Sequence, residues 1–191
     1  MKKYISKTLL LGSFITILVV ISCQPELVEP VTPLENEYIS TVKIIYVNPA
    51  DTADKGVARW ADLDNNPATH ADTSTAILNL KKNSQYNLEI LFLNETKSPI
   101  DTISKEVKAR SIFHLICITP LTPFGLTATP TDMDGNNPAL PLGLKYRVLT
   151  DSTLKNGMIR LKLKHQPSGK NGSCELGSAD ADVRFRVVKV N

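Results

Sequence analysis

Two short acidic loops carry oxygen-bearing side chains at alternating positions, a spacing that can bring them together around one hard cation. The second loop offers Asp132, Asp134 and Asn136, and the first offers Asp62 and Asp64. Calcium is bound by several carboxylate, amide and carbonyl oxygens, so these five residues are candidate calcium ligands. The second loop departs from the EF-hand pattern, because its glycine comes too early and no glutamate closes it. The same residue types also form Asx turns between strands, which need no metal.

The histidines give no comparable signal. His70, His114 and His165 lack metal-ligand spacing, and the segment from His165 to Lys170 lacks the glycine frame of a phosphate-binding loop. The sequence has no GxSxG elbow, no CxxC pair and no convincing pairing of a nucleophile with a base. We therefore expect a protein without catalytic activity. A hydrolase of unrecognised type, in which His114 or His165 meets carboxylates, is the least favoured alternative.

Two of the three cysteines could form a disulfide. Cys117 lies in an apolar run and Cys174 in a polar loop, whereas Cys23 follows the N-terminal apolar segment. An exported protein reaches an oxidising compartment, where Cys117 and Cys174 can pair. Two unpaired thiols are equally compatible with the sequence, because the separation of the two Cα atoms is not known from it.

The elements that position these residues are short apolar runs between clusters of Asn, Asp, Gly and Pro. Helical periodicity is scarce, and the pattern is typical of a sandwich or a barrel. We predict an all-β fold, an antiparallel β-sandwich of immunoglobulin-like or related type. The candidate strands are Thr41–Val47, Val57–Ala61, Ser74–Leu80, Gln85–Asn94, Ser111–Thr119, Gly125–Thr131, Leu142–Thr150, Met158–His165 and Val183–Val190. The segment Asp101–Arg110 fits either a helix capped by Asp101 or a further strand.

The last three candidate strands alternate apolar and basic residues, which places the cations of each strand on one side of its sheet. Consecutive strands are usually neighbours, and Asn156-Gly157 between the first two is a strong hairpin signal. We therefore predict a three-stranded meander whose outer face would bind an anion. Its seven cations are Lys145, Arg147, Arg160, Lys162, Lys164, Arg184 and Arg186. The alternative is a solvated face whose cations are staggered or paired with acidic side chains.

The N-terminus has the layout of an export signal: Lys2, Lys3 and Lys7 precede an apolar run that ends just before Ser22 and Cys23. That run is short for a membrane-spanning helix. The ending Val-Ile-Ser-Cys resembles the lipobox of bacterial lipoproteins, which implies that Cys23 is lipidated and becomes the mature N-terminus. An ordinary secretory signal or a short membrane anchor is the alternative. We predict a signal peptide over residues 1–22, a tether rich in proline and glutamate over 23–38, and a β-domain over 39–191.

The formal net charge of +3 comes from the signal segment alone. Without Lys2, Lys3 and Lys7, 19 of the 22 Lys and Arg remain against 19 Asp and Glu. A neutral mature chain gives no reason to expect nucleic acid as a partner. The charge is unevenly placed, however, because residues 143–191 carry ten cations and four anions. This asymmetry concerns surfaces rather than the fold.

Several short motifs, in their order along the chain, resemble a group of small Bacteroidetes envelope lipoproteins. They are Trp60-Ala61-Asp62-Leu63-Asp64, Phe92-Leu93-Asn94-Glu95, Asp132-Met133-Asp134-Gly135-Asn136, Leu142-Gly143-Leu144 and Leu163-Lys164-His165-Gln166-Pro167. The resemblance implies a β-rich domain in the cell envelope, at the outer membrane and facing the periplasm or the cell surface, but no activity. We therefore expect a lipid-anchored binding or accessory module for an anionic glycan or an acidic envelope partner. A purely structural lipoprotein is the alternative, and calcium is the one candidate cofactor.

Overall fold

In the computed structural model, which describes residues 38–191, nine β-strands form two sheets. The predicted signal peptide (1–22), the candidate lipidation site Cys23 and all but the last residue of the predicted tether (23–38) lie outside the described residues. Within residues 38–191 no helix is long and apolar enough to cross a membrane.

The two sheets confirm the predicted all-β, largely antiparallel sandwich. The strands are β1 (Thr41–Asn48), β2 (Asp51–Ala61), β3 (Ile77–Lys81), β4 (Gln85–Leu93), β5 (His114–Pro120), β6 (Leu126–Pro130), β7 (Lys145–Thr150), β8 (Gly157–His165) and β9 (Ser178–Val190). The first sheet has the order β2-β1-β4-β7-β6, and the second has the order β3-β9-β8-β5 with β3 parallel to β9. This order differs from the ABED and CFG sheets of immunoglobulin domains, so the sandwich is of a related type.

The core lies between the inner faces of the sheets, and period-two alternation builds it. In β8, for example, Ile159, Leu161 and Leu163 are buried while the intervening residues point outward. Tyrosines of the first sheet also reach across the core to the backbone of the second. The hydroxyl of Tyr46 accepts the Asn79 N–H at 3.1 Å, and similar bonds join Tyr86 to β3 and Tyr146 to β5. Burial of these rings therefore leaves their hydroxyl groups hydrogen-bonded.

The predicted meander is wrong, because β7 and β8 belong to different sheets. Strand β7 pairs with β4 and β6, and β8 pairs with β5 and β9. The segment around Asn156-Gly157 is therefore a crossover at the end of the sandwich and not a hairpin. Leu154 in this crossover is 1% exposed and belongs to the core, which fixes the path of the chain. The Asn156 side chain accepts the N–H of Lys189.

The ambiguous segment 101–110 contains a short helix, α1 (Ile103–Ala109), and a 3₁₀ turn (Ser111–Phe113) leads from it into β5. Asp101 is not the cap; the residue before the helix is Thr102. The hydroxyl of Ser104 accepts the Phe92 N–H at 2.6 Å. The pairing of β4 with β7 ends at Glu89, before Phe92. Because a buried N–H group needs a hydrogen-bond acceptor, the Ser104 hydroxyl of α1 takes the place of a neighbouring strand here.

Candidate functional site

The seven predicted cations do not share one face. Lys145 and Arg147 lie on β7 in the five-stranded sheet, whereas the other five lie on β8 and β9 in the four-stranded sheet. Of those five, Lys164 is only 7% exposed, and its Nζ donates to the carbonyl of Gly177 at 2.6 Å. The predicted seven-membered face is therefore reduced to Arg160, Lys162, Arg184 and Arg186.

These four residues form a basic patch on the outer face of β8 and β9, together with one carboxylate, Asp182. Arg160 and Arg184 are directly opposite in the β8–β9 register, an arrangement that is unfavourable without an anion. Asp182 supplies one: the Arg160 Nε donates to it at 2.6 Å, and a second guanidinium nitrogen makes a parallel bond. Arg160 holds the pKa of Asp182 below its usual range, and Lys162 and Arg184 add to the effect.

Four cations against one carboxylate leave the basic patch positively charged. Within residues 38–191, Asp182 is paired with Arg160, and no carboxylate lies within 4.0 Å of Lys162, Arg184 or Arg186. Arg184 and Arg186 are exposed residues. The patch can therefore accept an anion from solvent without first breaking an ion pair of these arginines.

Trp60 lies at the margin of the basic patch. It is on β2, an edge strand, opposite Val42, and its partly buried indole packs against the core. Strand β3 pairs only with Arg186–Val190, so the first half of β9 has no strand beside it on that side, and Trp60 lies near this gap. A depression of about 440 Å³ results. We call it the Trp60 site; its lining residues are Trp60, Thr73, Arg160, Asp182, Val183 and Arg184.

A second depression, of about 370 Å³, also has Trp60, Asp182 and Val183 in its lining. It is more acidic, because Asp62 and Asp180 line it too. Asp180 lies at an irregularity in the β8–β9 register, and one of its carboxylate oxygens is buried without a hydrogen bond among the described residues. Burial raises the pKa of this carboxyl group, against the lowering effects of His165 and Lys164.

The oxygens of the second acidic loop are already bonded within the protein. Asp132 accepts three backbone N–H groups, those of Gly143, Leu144 and Lys145, at 2.9 to 3.1 Å. Gly143 is needed here, because its φ of +89° is in the left-handed region and a Cβ would collide with the Ile116 carbonyl. Asp132 therefore shapes the start of β7.

Asp134 belongs to an ion pair that sequence alone does not suggest. Its Oδ2 lies 2.8 Å from the Nζ of Lys170, and both side chains are 0% exposed. Its oxygens also accept N–H groups of Asn136 and of Leu140. Burial would raise the pKa of Asp134, but the bonds from Lys170 and these N–H groups outweigh it and lower the pKa to about 2. Of the three predicted ligands in this loop, Asp134 is thus already paired with an ammonium group of the chain itself.

The first acidic loop consists of Asx turns. Asp62 accepts the Asn65 N–H, and Asp64 accepts the Asn66 N–H and the Thr69 hydroxyl. Asp62 and Asp132 line different depressions. Among residues 38–191 no three His, Cys, Asp or Glu side chains are arranged to hold a metal ion.

Cys117 and Cys174 are joined by a disulfide, which is one of the two alternatives compatible with the sequence. Cys117 is on β5 opposite Lys162, so the bond attaches the β8–β9 connection to the outer face of the second sheet. Gln166 supports the same connection, because its side-chain amide donates to the carbonyls of Ser173 and Leu176. The basic patch is therefore bordered by a covalently fixed segment.

The histidines that a hydrolase would need do not meet the acidic loops. The rings of His114 and His165 stack with centroids 5.1 Å apart, and the Nδ1 of His114 is 3.0 Å from the Arg110 carbonyl. Burial lowers the pKa of His114 to about 4, and His165 adds to the effect. Within residues 38–191 no hydrogen bond joins His165 to Asp62 or to Asp132.

Sequence reasoning did not single out Trp60 as an open residue or Lys170 as a partner of Asp134. It also missed Glu95, whose carboxylate binds Lys43 and Arg59 at 2.6 and 2.5 Å. The only available signal was their types: one tryptophan, and charged residues next to apolar runs.

Comparisons with protein-family profiles, with curated proteins and with solved structures find no match to the chain.

Proposed function

We propose that this protein is a lipid-anchored lipoprotein of the bacterial cell envelope that binds an anionic glycan at the Trp60 site, without catalysing a reaction. The observation that carries the proposal is the position of Trp60 beside the basic patch, in a depression of about 440 Å³. An aromatic side chain next to the unpaired guanidinium group of Arg184 matches the two chemical features of an acidic sugar, an apolar ring face and a negative charge.

Each residue of the Trp60 site has a role in this proposal. The indole offers a flat apolar surface for the C–H groups of a sugar ring and an N–H for a hydroxyl group. Arg184, which has no carboxylate within 4.0 Å among the described residues, would bind a carboxylate or sulfate through its planar guanidinium group. Arg160 and Asp182 hold each other in place through their ion pair. Arg160 would donate hydrogen bonds to sugar hydroxyl groups, and Asp182 would accept them.

The size of the site agrees with a short stretch of glycan and not with a large buried ligand. Depressions of about 300–1,000 Å³ are typical for small-molecule binding, and the Trp60 site is at the lower end of that range. Arg186 and Lys162 extend the positive surface beyond it along β8 and β9. A polymer with repeated acidic groups could therefore make further contacts outside the depression.

Reversing the charge of Arg184 tests the proposed function. We expect Arg184→Glu to weaken the binding of oligogalacturonate at least about tenfold, because one charge-assisted hydrogen bond is lost and a repulsive carboxylate is added. Binding is measured by isothermal titration calorimetry on the full chain in lipid nanodiscs. Arg184 is exposed, so the substitution should leave the fold intact.

Arg147→Glu is the matched control, because Arg147 is also an exposed strand residue but lies in the other sheet. It should leave the affinity within about twofold of the native value, since a single distant surface charge is largely screened. The methyl ester of oligogalacturonate, which keeps the sugar rings and removes the charge, should bind poorly to the native chain. Equal losses in both variants, or tight binding of the ester, would contradict the proposal.

The lipid anchor is tested separately. We expect Cys23→Ser to move the protein from the membrane fraction to the soluble fraction, because the residue that would carry the acyl chains is gone. The measurement is immunoblotting of the two fractions, with Ser178→Ala, a change at an exposed residue of the β-domain, as a control that keeps Cys23 and the disulfide. A Cys23→Ser protein that stays in the membrane fraction as fully as the native chain would exclude lipidation at this residue as the anchor.

A further inference from the structure

A depression of about 600 Å³ lies between helix α1, strand β4 and the loop that joins β6 to β7, in a different place from the Trp60 site. Apolar side chains line it, among them Leu91, Leu142 and Leu144. Met133 is also in the lining and is 54% exposed, so its side chain offers apolar surface to solvent. A mostly apolar cavity of this size with a few polar groups has the usual form of a small-ligand site.

Three lysines surround this apolar surface. Lys105 and Lys108 are three residues apart on α1 and so lie on the same side of the helix, and Lys145 approaches from β7. All three are on exposed residues, and no carboxylate lies within 4.0 Å of them in the part of the chain that the structure describes. Their positive charge is therefore directed toward solvent at the edge of the depression.

The carboxylates in the lining offset only part of this positive charge. Asp132 is bound to three backbone N–H groups, and Asp134 is paired with Lys170. Glu89, opposite Lys145 in the β4–β7 register, is the one remaining carboxylate of the lining. Hydrogen bonds from neutral N–H groups leave the negative charge of Asp132 in place, so outside the Asp134–Lys170 pair the lining carries three cations and two carboxylates around an apolar floor.

We propose that this depression binds an anionic amphiphile with a single alkyl chain and a carboxylate head, such as a fatty acid. The alkyl chain would lie against the partly exposed Leu91 and the exposed Met133, where it removes apolar surface from water. The carboxylate would lie between the lysines of α1 and Lys145, which can donate charge-assisted hydrogen bonds. This binding does not depend on the Trp60 site and would occur in a protein that binds no glycan.

A photoreactive decanoic acid with a diazirine near the end of its chain tests the inference. The full chain in lipid nanodiscs is illuminated with this probe, and the labelled residues are identified by mass spectrometry. We expect labels concentrated at Leu91 and Met133. The double substitution Lys105→Glu with Lys108→Glu should lower this labelling at least about tenfold, because two favourable charges become repulsive.

The control is Lys55→Glu with Lys155→Glu, which makes the same change of net charge at exposed residues outside the depression. It should leave the labelling at Met133 unchanged. The analogous probe with a hydroxyl head should label the depression about tenfold less than the acid. Labels spread evenly over the chain, or equal labelling in the two double variants, would overturn the proposal.

Discussion

A protein in which Cys117 and Cys174 are both replaced by alanine should unfold with a free energy about 4 kcal/mol lower than that of the native protein. The two cysteines are 57 residues apart, so the disulfide restricts a long loop of the unfolded chain. It also attaches the β8–β9 connection to the second sheet. The measurement is urea denaturation of the two purified proteins followed by circular dichroism.

The single variants Cys117→Ala and Cys174→Ala are the controls, because each breaks the same bond. Each should be about as unstable as the double variant. A reducing agent should lower the stability of the native protein toward that level and leave the double variant unchanged. Free thiols at both positions in the native protein, or a loss below about 1 kcal/mol, would contradict the disulfide seen in the structure.

Replacing Lys170 by methionine should lower the free energy of unfolding by about 3 kcal/mol, because the Asp134 carboxylate would be left covered without its cation. Methionine keeps most of the length of the side chain, so the lost charge accounts for most of the effect. The same denaturation measurement applies. The effect should be strongest at neutral pH, since the pKa of Asp134 is about 2 and the carboxylate is then fully ionised.

A double-mutant cycle separates this ion pair from general damage to the loop. Asp134→Asn should be destabilising by itself, because Asp134 also accepts N–H groups of Asn136 and Leu140. Combined with Lys170→Met it should cost clearly less than the sum of the two single changes, since the remaining partner is no longer charged. Additive losses would show that Lys170 and Asp134 act independently.

The sequence predicted the strands better than it predicted their partners. Alternation such as Ile159, Leu161 and Leu163 is a property of one strand and can be recognised without knowing its neighbour. Whether β7 continues into a hairpin or crosses to the other sheet depends on Leu154, which is buried in the connection. One leucine in a polar loop gives no such information before the structure is known.

The candidate sites were less predictable, because they depend on residues that are distant in the sequence. The Asx-rich loops were compatible with turns or with a metal site. Which of the two forms at Asp134 depends on Lys170, a residue of another loop whose ammonium group pairs with the Asp134 carboxylate. Likewise Trp60 would be expected in the core. It is only partly covered, because β3 begins opposite Arg186 and leaves the first half of β9, near Trp60, without a strand beside it. Neither fact follows from composition or periodicity.

The two depressions for which we propose ligands, an anionic glycan in one and a fatty acid in the other, lie in different parts of the domain. The Trp60 site lies beside the basic patch of the second sheet, whereas the lysine-rimmed depression lies between α1, β4 and the loop after β6. Lys145 and Arg147, predicted to join the basic patch, belong to the first sheet. The excess positive charge of residues 143–191 is thus distributed over the outer surfaces of both sheets.

The emission of Trp60 gives the most direct test of glycan binding at the Trp60 site, because it is the only tryptophan of the chain. Oligogalacturonate is added to the full chain in nanodiscs under selective excitation of tryptophan. We predict a saturable change in emission with the same midpoint as the calorimetric titration, and a shift of that midpoint to higher concentration in Arg184→Glu. Calorimetric binding without any change in Trp60 emission would contradict the assignment of the glycan to this site.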